Sequence, residues 1–539
     1  MVFENKFLGP SFASFALYGM ERIFSRKPKT NDLSSGRRVI NMAKIVIIGG
    51  GVAGLSAGIY AGLNGHDATV CERSFVAGGN LTGWRRGEYK IDNCIHWLTG
   101  TNPATDTYKM WVDLGALGDV EVIQGNSLYT CEYGGETLSL YNDLYRMERE
   151  MLEISPADEG EIRSLIRGVE VMERVGGIGG ADHNEGLGIK QLAAAAPSLV
   201  KYYGLTTGEL AKRFKHPLLR SFISSFWGED FGALAVLMVF AYYCGNNGGI
   251  PRGGSVAMAE RMTDRLREVG GELLLCKEAV RINCEDGRAC SVSFSDGSTI
   301  DADYVVIATD PAVAFERLLD VPMPTKLRRQ YNDPRMKRFS SYQCAFSYDA
   351  ESVPFEGDLI FDTTDDEKKM LPIDHVIVRE FSHERSFAPE GKSILQTMTF
   401  CSERVAKAFI KLRQTSKAVY DKKKHQIAAS LAEMLSRRFP EMRGRLRCLD
   451  VWTPATYKRY TDSQIGSYMS FALPSRMIPK KLSPKIKGLS NVLLATQWLQ
   501  APGGLPIAAE CGKIAIEAIE KLECTRKSYG RARRRIKAN

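Results

Sequence analysis

The chain alternates between short apolar runs and longer amphipathic stretches. The first run, Ile45 to Ile48, has the length of a buried parallel strand. Behind it come Gly49, Gly51 and Gly54 in GxGxxG spacing. A helical pattern follows with Ala53, Ala57, Tyr60 and Ala61 on one side, then a second strand through Ala68, Val70 and Cys71 that ends at Glu72. Residues 104–244 read mostly as helices, with patches at 141–154, 159–174, 189–195 and 208–244 and a glycine-rich interruption from Gly176 to Gly188. Residues 248–271 predict a loop and an amphipathic helix. Strands are expected at 272–275, 279–284, 289–294 and 304–308, with turns at Glu285-Asp286-Gly287 and Asp296-Gly297. Residues 340–400 look strand-rich, and a lysine-rich helix spans about 416–438. Residues 491–495, NVLLA, form a last apolar strand before a glycine loop and a closing helix.

Nucleotide-binding elements thus recur at the front, the middle and the end. The simplest architecture is α/β: a discontinuous Rossmann-like domain from 42–105, 245–325 and 485–522. A mixed α+β substrate domain would be built from 106–244 and 326–484. The tail 523–539 has few apolar residues and is expected to be disordered.

Composition changes this picture at the ends. The chain has 539 residues and a net charge of +9. Residues 1–41 contribute +4 and residues 521–539 contribute +7, which leaves −2 for the body. A folded nucleic-acid face is therefore not expected. Residues 1–41 read as a disordered leader, with Met42 as an alternative start. An amphipathic surface anchor is the other reading of FLGPSFASFALYGMERIF. Twelve scattered cysteines without a CxxC pair fit free thiols in a reducing cytoplasm. None of the seven histidines falls in HxH or HExxH spacing, so no metal site is expected.

The opening segment carries the clearest chemistry. The first glycine permits the sharp turn, the second leaves room for a pyrophosphate, and the third lets helix and strand pack closely. The helix start at Val52 and Ala53 presents free N–H groups and a partial positive charge. Glu72 lies 18 residues after Gly54, about where an acid holds a ribose hydroxyl. These features alone leave NAD and FAD open.

Several further segments resemble the FAD-dependent amine oxidase and phytoene desaturase superfamily. They are GGGVAGL, Glu72-Arg73, Gly78-Gly79, IPRGGSVAMAERM, KEAVRI with YVVIATDP, TPATYKRYTDSQIGSYMS and NVLLATQWLQAPGGLPIAAECGKIA. The PGGLP form is nearest to phytoene desaturases, carotenoid isomerases and retinol saturases. The resemblance covers roughly 42–522. It implies that Gly49, Gly51 and Gly54 surround the FAD pyrophosphate, with Val52, Ala53, Arg73 and Gly79 beside them. It implies that Glu72 binds the adenosine ribose and that the backbone of Val280 meets the adenine. Gly503, Gly504, Leu505 and Pro506 would lie at the isoalloxazine. Two positions depart from the family. Asn80 stands where Arg is common, and Thr496 and Gln497 stand where Gly and an acid are usual; Gln497 can still hydrogen-bond.

The implied function is an FAD-dependent oxidoreductase moving a hydride between a C–C or C=C unit and flavin N5. The substrate would be a hydrophobic small molecule: a polyene, retinoid or other lipid. An amine or porphyrinogen oxidase, a flavin-dependent isomerase and a non-catalytic flavin- or lipid-binding protein stay open. The substrate-cavity candidates are His96, Trp97, Arg459, Tyr468 and Trp498. No catalytic residue is assigned, because no acid–base constellation stands out. A peripheral membrane contact and the oligomeric state stay open.

Overall fold

The apolar run at 45–48 is covered on both faces, and it sits at the centre of a five-stranded sheet. In a computed structural model of the protein the described residues are 42–175, 196–197, 199–349, 355, 357–477 and 480–538, with side chains to 525. The leader 1–41, the glycine-rich stretch 176–188 and the helical patch 189–195 lie outside them. The sheet order is Glu272–Leu274, Asp67–Cys71, Lys44–Ile48, Tyr304–Ile307 and Val492–Leu494, parallel throughout. Ile47 pairs with Val70 on one side and Val306 on the other. Strands from the front, middle and end of the chain therefore share one sheet. Residues 279–301 form a separate three-stranded antiparallel sheet.

Helix Val52–Leu63 packs on helix Leu505–Ala538 through small residues. A Cβ added at Gly512 would lie 2.4 Å from the Ala53 carbonyl oxygen, and Ser56 Oγ donates to the Ala509 carbonyl at 2.7 Å. This contact joins the two ends of the motif across 453 residues of sequence. The last helix runs on through Ala538, where a disordered tail from 523 is expected.

The second sheet has seven strands, in the order Arg447–Trp452, Phe339–Asp349, Lys392–Ser402, His375–Glu380, Asp358–Asp362, Ser127–Tyr133 and Glu136–Tyr141. All pairs are antiparallel except Asp358–Asp362 with Ser127–Tyr133. Helix Lys417–Arg438 covers one face through Ile427, Leu431 and Leu435. Helix Leu234–Cys244 belongs to the core on the other, where Phe240 packs with Ile360 and Met398.

Two stretches differ from the sequence expectation. Residues 127–141 are a hairpin inside the supposed helical region. Its turn is Gly134-Gly135, both at positive φ, as a two-residue hairpin turn requires. The pattern at 208–244 is three helices, Thr207–Ala211, Pro217–Ser224 and Leu234–Cys244. Pro217 restarts one of them, and Gly232 bonds to the Leu473 carbonyl instead of continuing a helix. Among the described residues no helix is long and apolar enough to cross a membrane.

Candidate functional site

The carboxyl ends of the parallel strands open into one long cavity. It holds roughly 2420 Å³ of free space, its open mouth included. One end is lined by Glu72, Arg73 and Lys277 to Ala279, and the middle by Gly49, Gly51 to Ala53 and Gly78 to Asn80. The loop Gly503-Gly504 and the helix start Leu505 to Ile507 close the far side. Beyond that loop the cavity continues into an aromatic arm that includes Trp97, Phe226, Trp227, Tyr242, Phe400 and Tyr468.

Backbone geometry makes the middle section. Gly51 caps helix Val52–Leu63 without a side-chain hydrogen bond, so the first-turn amides are left without an intrahelical or side-chain partner. Gly78 N–H donates to the Gly50 carbonyl at 2.8 Å and brings the second glycine pair alongside the first. Gly49 sits at φ +106° and Gly79 at φ +64°, where a side chain is strained. Gly54 does not reach the wall. A Cβ there would fall 1.8 Å from the Gly49 carbonyl oxygen, so Gly54 serves the close turn behind the cavity.

Glu72 is buried, and its two oxygens accept from Gly50 N–H at 2.6 Å and Ser74 N–H at 2.8 Å. Burial raises its pKa, and the two amides oppose that rise. Arg73 reaches Asp462 at 2.9 Å and the Arg459 carbonyl at 3.0 Å. Asn80 donates to the Ser467 and Tyr468 carbonyls, both at 3.2 Å, and so ties the middle of the cavity to its aromatic arm. Gln497 Oε1 accepts from Gly504 N–H at 2.8 Å and braces the closing loop.

His96, Trp97 and Tyr468 come together in the arm. The Tyr468 and His96 rings meet edge to face, with centroids 6.5 Å apart, and Tyr468 donates its hydroxyl to the Cys94 carbonyl at 2.9 Å. Trp97 lies 6.4 Å from Tyr242. Trp498 reaches the wall, but its ring is buried against Tyr331 and Phe471. Leu505 and Pro506 line the wall.

Besides Gly54, two expected residues miss the wall. Val280, whose backbone was expected to meet the adenine, sits exposed at a bulge between Ala279 and Arg281, and its neighbour Ala279 lines the cavity. The Arg459 guanidinium lies over the Tyr460 ring, 5.2 Å from its centroid, and Tyr460 is the wall residue. The sequence reading passed over Lys277, Asp310, Arg317 and Asp462, which also line the cavity. Asp462 pairs with Arg73, Arg317 and Lys458. It also passed over Asp358 and Arg379 behind His96, although a charge at Arg379 inside the apolar run HVIVRE was a visible signal.

A family model and several known proteins match this chain. The family model "Flavin containing amine oxidoreductase" matches residues 52–336. A phytoene desaturase (neurosporene-forming) of Rhodobacter capsulatus is 26% identical over 295 residues, 52% of this chain and about half (54%) of that protein. A 4,4'-diaponeurosporene oxygenase of Staphylococcus haemolyticus is 21% identical over 520 residues, covering 90% of this chain and 98% of that one. Among solved structures, an oxidoreductase from Methanosarcina mazei aligns with a TM-score of 0.59 at 15% identity. It covers 88% of this chain and 100% of that one, a likeness of fold.

Proposed function

The chain belongs to the flavin containing amine oxidoreductases and its cofactor is FAD; from that premise we propose that it moves a hydride between a C–C or C=C unit of a hydrophobic substrate and the flavin. FAD supplies the two-electron acceptor, and the protein binds, orients and excludes water. The residues fit such a ligand. The uncapped helix start at Val52 and Ala53 suits the pyrophosphate, with Gly49, Gly51 and Gly79 keeping the backbone bare around it. Glu72, already oriented by two amides, would hold the ribose. Gly504, Leu505 and Pro506 would flank the ring, braced by Gln497. Asn80 and Gln497 both bond the protein's own backbone, so their departure from Arg and acid leaves the cavity's shape intact.

The observation that carries the substrate class is how the wall carboxylates are partnered. Glu72 accepts two amides, Glu278 faces Arg73, and Glu510 pairs with Lys481. Asp310 accepts from Tyr331, Ala312 and Gln464, and Asp462 is ringed by three cations. Each carboxylate is matched within the chain, and Asp462, the one nearest in sequence to the arm residue Tyr468, is taken up by its three cations. That arm suits a polyene or other lipid and offers an ammonium no counter-charge. Anaerobic addition of phytoene should bleach the visible absorbance of the FAD-loaded protein, and putrescine should not. Bleaching by the amine alone would overturn the reading. Product mass then separates desaturation, saturation and isomerisation.

A peripheral contact with a lipid surface belongs to the same reading. Phe75 (67% exposed), Val76 and Leu275 project at one rim of the cavity, held together where Cys276 N–H donates to the Ser74 carbonyl. Burying one phenylalanine is worth about 1.5–3 kcal/mol. Phe75→Ser should therefore lower co-sedimentation with phosphatidylcholine vesicles about tenfold; unchanged partition would remove this rim from consideration.

A further inference from the structure

His96 lies where the nucleotide part of the cavity meets its aromatic arm, and two buried charges stand behind it. Asp358 and Arg379 pair across adjacent strands, with side chains 5% and 4% exposed. Arg379 donates to both carboxylate oxygens, at 2.7 and 2.8 Å. The same guanidinium donates to the Ile95 carbonyl at 2.6 Å and the His96 carbonyl at 2.7 Å. One side chain thus locks the carboxylate and the backbone that carries the imidazole into a common frame. Asp358 Oδ2 then stands 3.7 Å from His96 Nδ1, an ion-pair distance within an ångström of a hydrogen bond.

The electrostatics fit that geometry. Burial pushes the Asp358 carboxyl up, but Arg379 and then His96 outweigh it and hold it at about 2. It is therefore an anion at neutral pH and can only accept. Burial first, then Arg379, hold the imidazole below its ordinary range, against the opposing pull of Asp358 and Asp92. Asp92 is itself taken up by the amide and hydroxyl of Ser255. The other protic groups beside His96 are Cys94 and Tyr468, and burial raises both far above neutrality. His96, held below its ordinary range, is a neutral imidazole with a ring nitrogen that can accept a proton.

The hydride reading requires such a group. When a C–H bond breaks and its electron pair leaves as hydride to FAD, the neighbouring carbon must lose H⁺ for C=C to form. The electron pair of that second C–H bond becomes the π bond. The substrate is oxidised, FAD is reduced, and the proton needs an acceptor. We propose that His96 is that acceptor: Asp358, fixed by Arg379, takes its Nδ1–H, and Nε2 receives the substrate proton and returns it in the reverse direction. His96 would be the catalytic residue, with Asp358 and Arg379 as positioning residues. The proposal rests on the hydride reading above.

The test has an arm that needs no substrate. Nitrogen-15 NMR of the FAD-loaded protein, with the His96 signal assigned by its loss in His96→Gln, should show a neutral ring protonated at Nδ1. Asp358→Asn, checked for folding by thermal unfolding, should abolish that preference. A ring protonated at Nε2 would overturn the proposal whatever the substrate is. In turnover with a polyene that bleaches the flavin, His96→Gln should lower kcat about 10²-fold or more, with KM little changed and FAD retained. It should also remove the acid limb of the kcat/KM profile. A limb that persists would overturn the proposal. If no polyene bleaches the flavin of the parent protein, the hydride reading falls, and the tautomer alone judges His96.

Discussion

Gly54→Ala should leave a folded protein that does not retain FAD. The added Cβ would sit 1.8 Å from the Gly49 carbonyl oxygen and 3.3 Å from Ala308 Cβ. The first contact is with backbone, so no rotamer change relieves it. The turn at Gly49 must shift, and that turn forms the wall of the cavity. Forcing an extra methyl into a packed site costs about 1–3 kcal/mol. This is survivable for a domain of ordinary stability, about 5–15 kcal/mol. Each 1.4 kcal/mol of lost ligand complementarity is about tenfold in affinity. The expected loss in FAD affinity is therefore about ten- to a hundredfold, read as flavin-to-protein ratio after dialysis. Gly58→Ala is the control. Its Cβ would meet Leu266 Cδ1 at 2.7 Å and Val70 Cγ2 at 2.8 Å, ends of side chains that can move. It should keep its flavin. A Gly54→Ala protein that binds FAD like the parent would refute the account of this turn.

Arg379→Met should be the most destabilising single change in the seven-stranded sheet, at about 3–5 kcal/mol. Removing one partner of a buried pair leaves the other charge without compensation. Here the guanidinium also satisfies two backbone carbonyls, at Ile95 and His96. Adding Asp358→Leu should restore much of the loss, because a matched apolar pair carries no buried charge. Urea unfolding of parent, single and double variants reads the effect directly. A loss below about 1 kcal/mol for Arg379→Met would show that Asp358 is solvated or protonated instead. The pH dependence has a definite sign. The folded Asp358 carboxyl sits at about 2, below the unfolded value of about 3.9. Its contribution is present above the unfolded value and is lost as pH falls toward 2. The gap between parent and Arg379→Met should therefore narrow in acid.

The candidate site was legible in the sequence wherever one segment carries both the fold signal and the ligand-facing backbone. At 44–72 the strand, the glycines, the helix and the terminal acid are contiguous, and the observed elements fall where the pattern places them. The fold signal alone was also legible for DLIFD at 358–362 and for helix Lys417–Arg438. Elsewhere the local pattern was ambiguous. The stretch SLYTCEYGGETLSLY carries alternation and a Gly-Gly turn, yet its apolar residues also fit a helical spacing. Its strand partner, Asp358–Asp362, lies more than two hundred residues away. Arg459 was displaced by one residue from the wall, because a step of one turns a helix side chain by about 100°. Val280 falls at a bulge, which the sequence pattern does not show.

By itself the sequence determined the parallel sheet's central elements, the glycine turn for a dinucleotide and the apolar closing strand with its loop. Those depend on contacts between neighbours, so periodicity and glycine spacing carry them. Only the tertiary structure decided which distant residues share a cavity. Helix Val52–Leu63 meets helix Leu505–Ala538 through Ser56 and Ala509, 453 positions apart. Arg379 reaches back 283 positions to the carbonyl of His96. The partnering of the wall carboxylates, which favours an apolar substrate, arises the same way, as in the pairing of Arg73 with Asp462. A charge's partner is set by where the backbone closes in space, and residue order along the chain does not encode that distance.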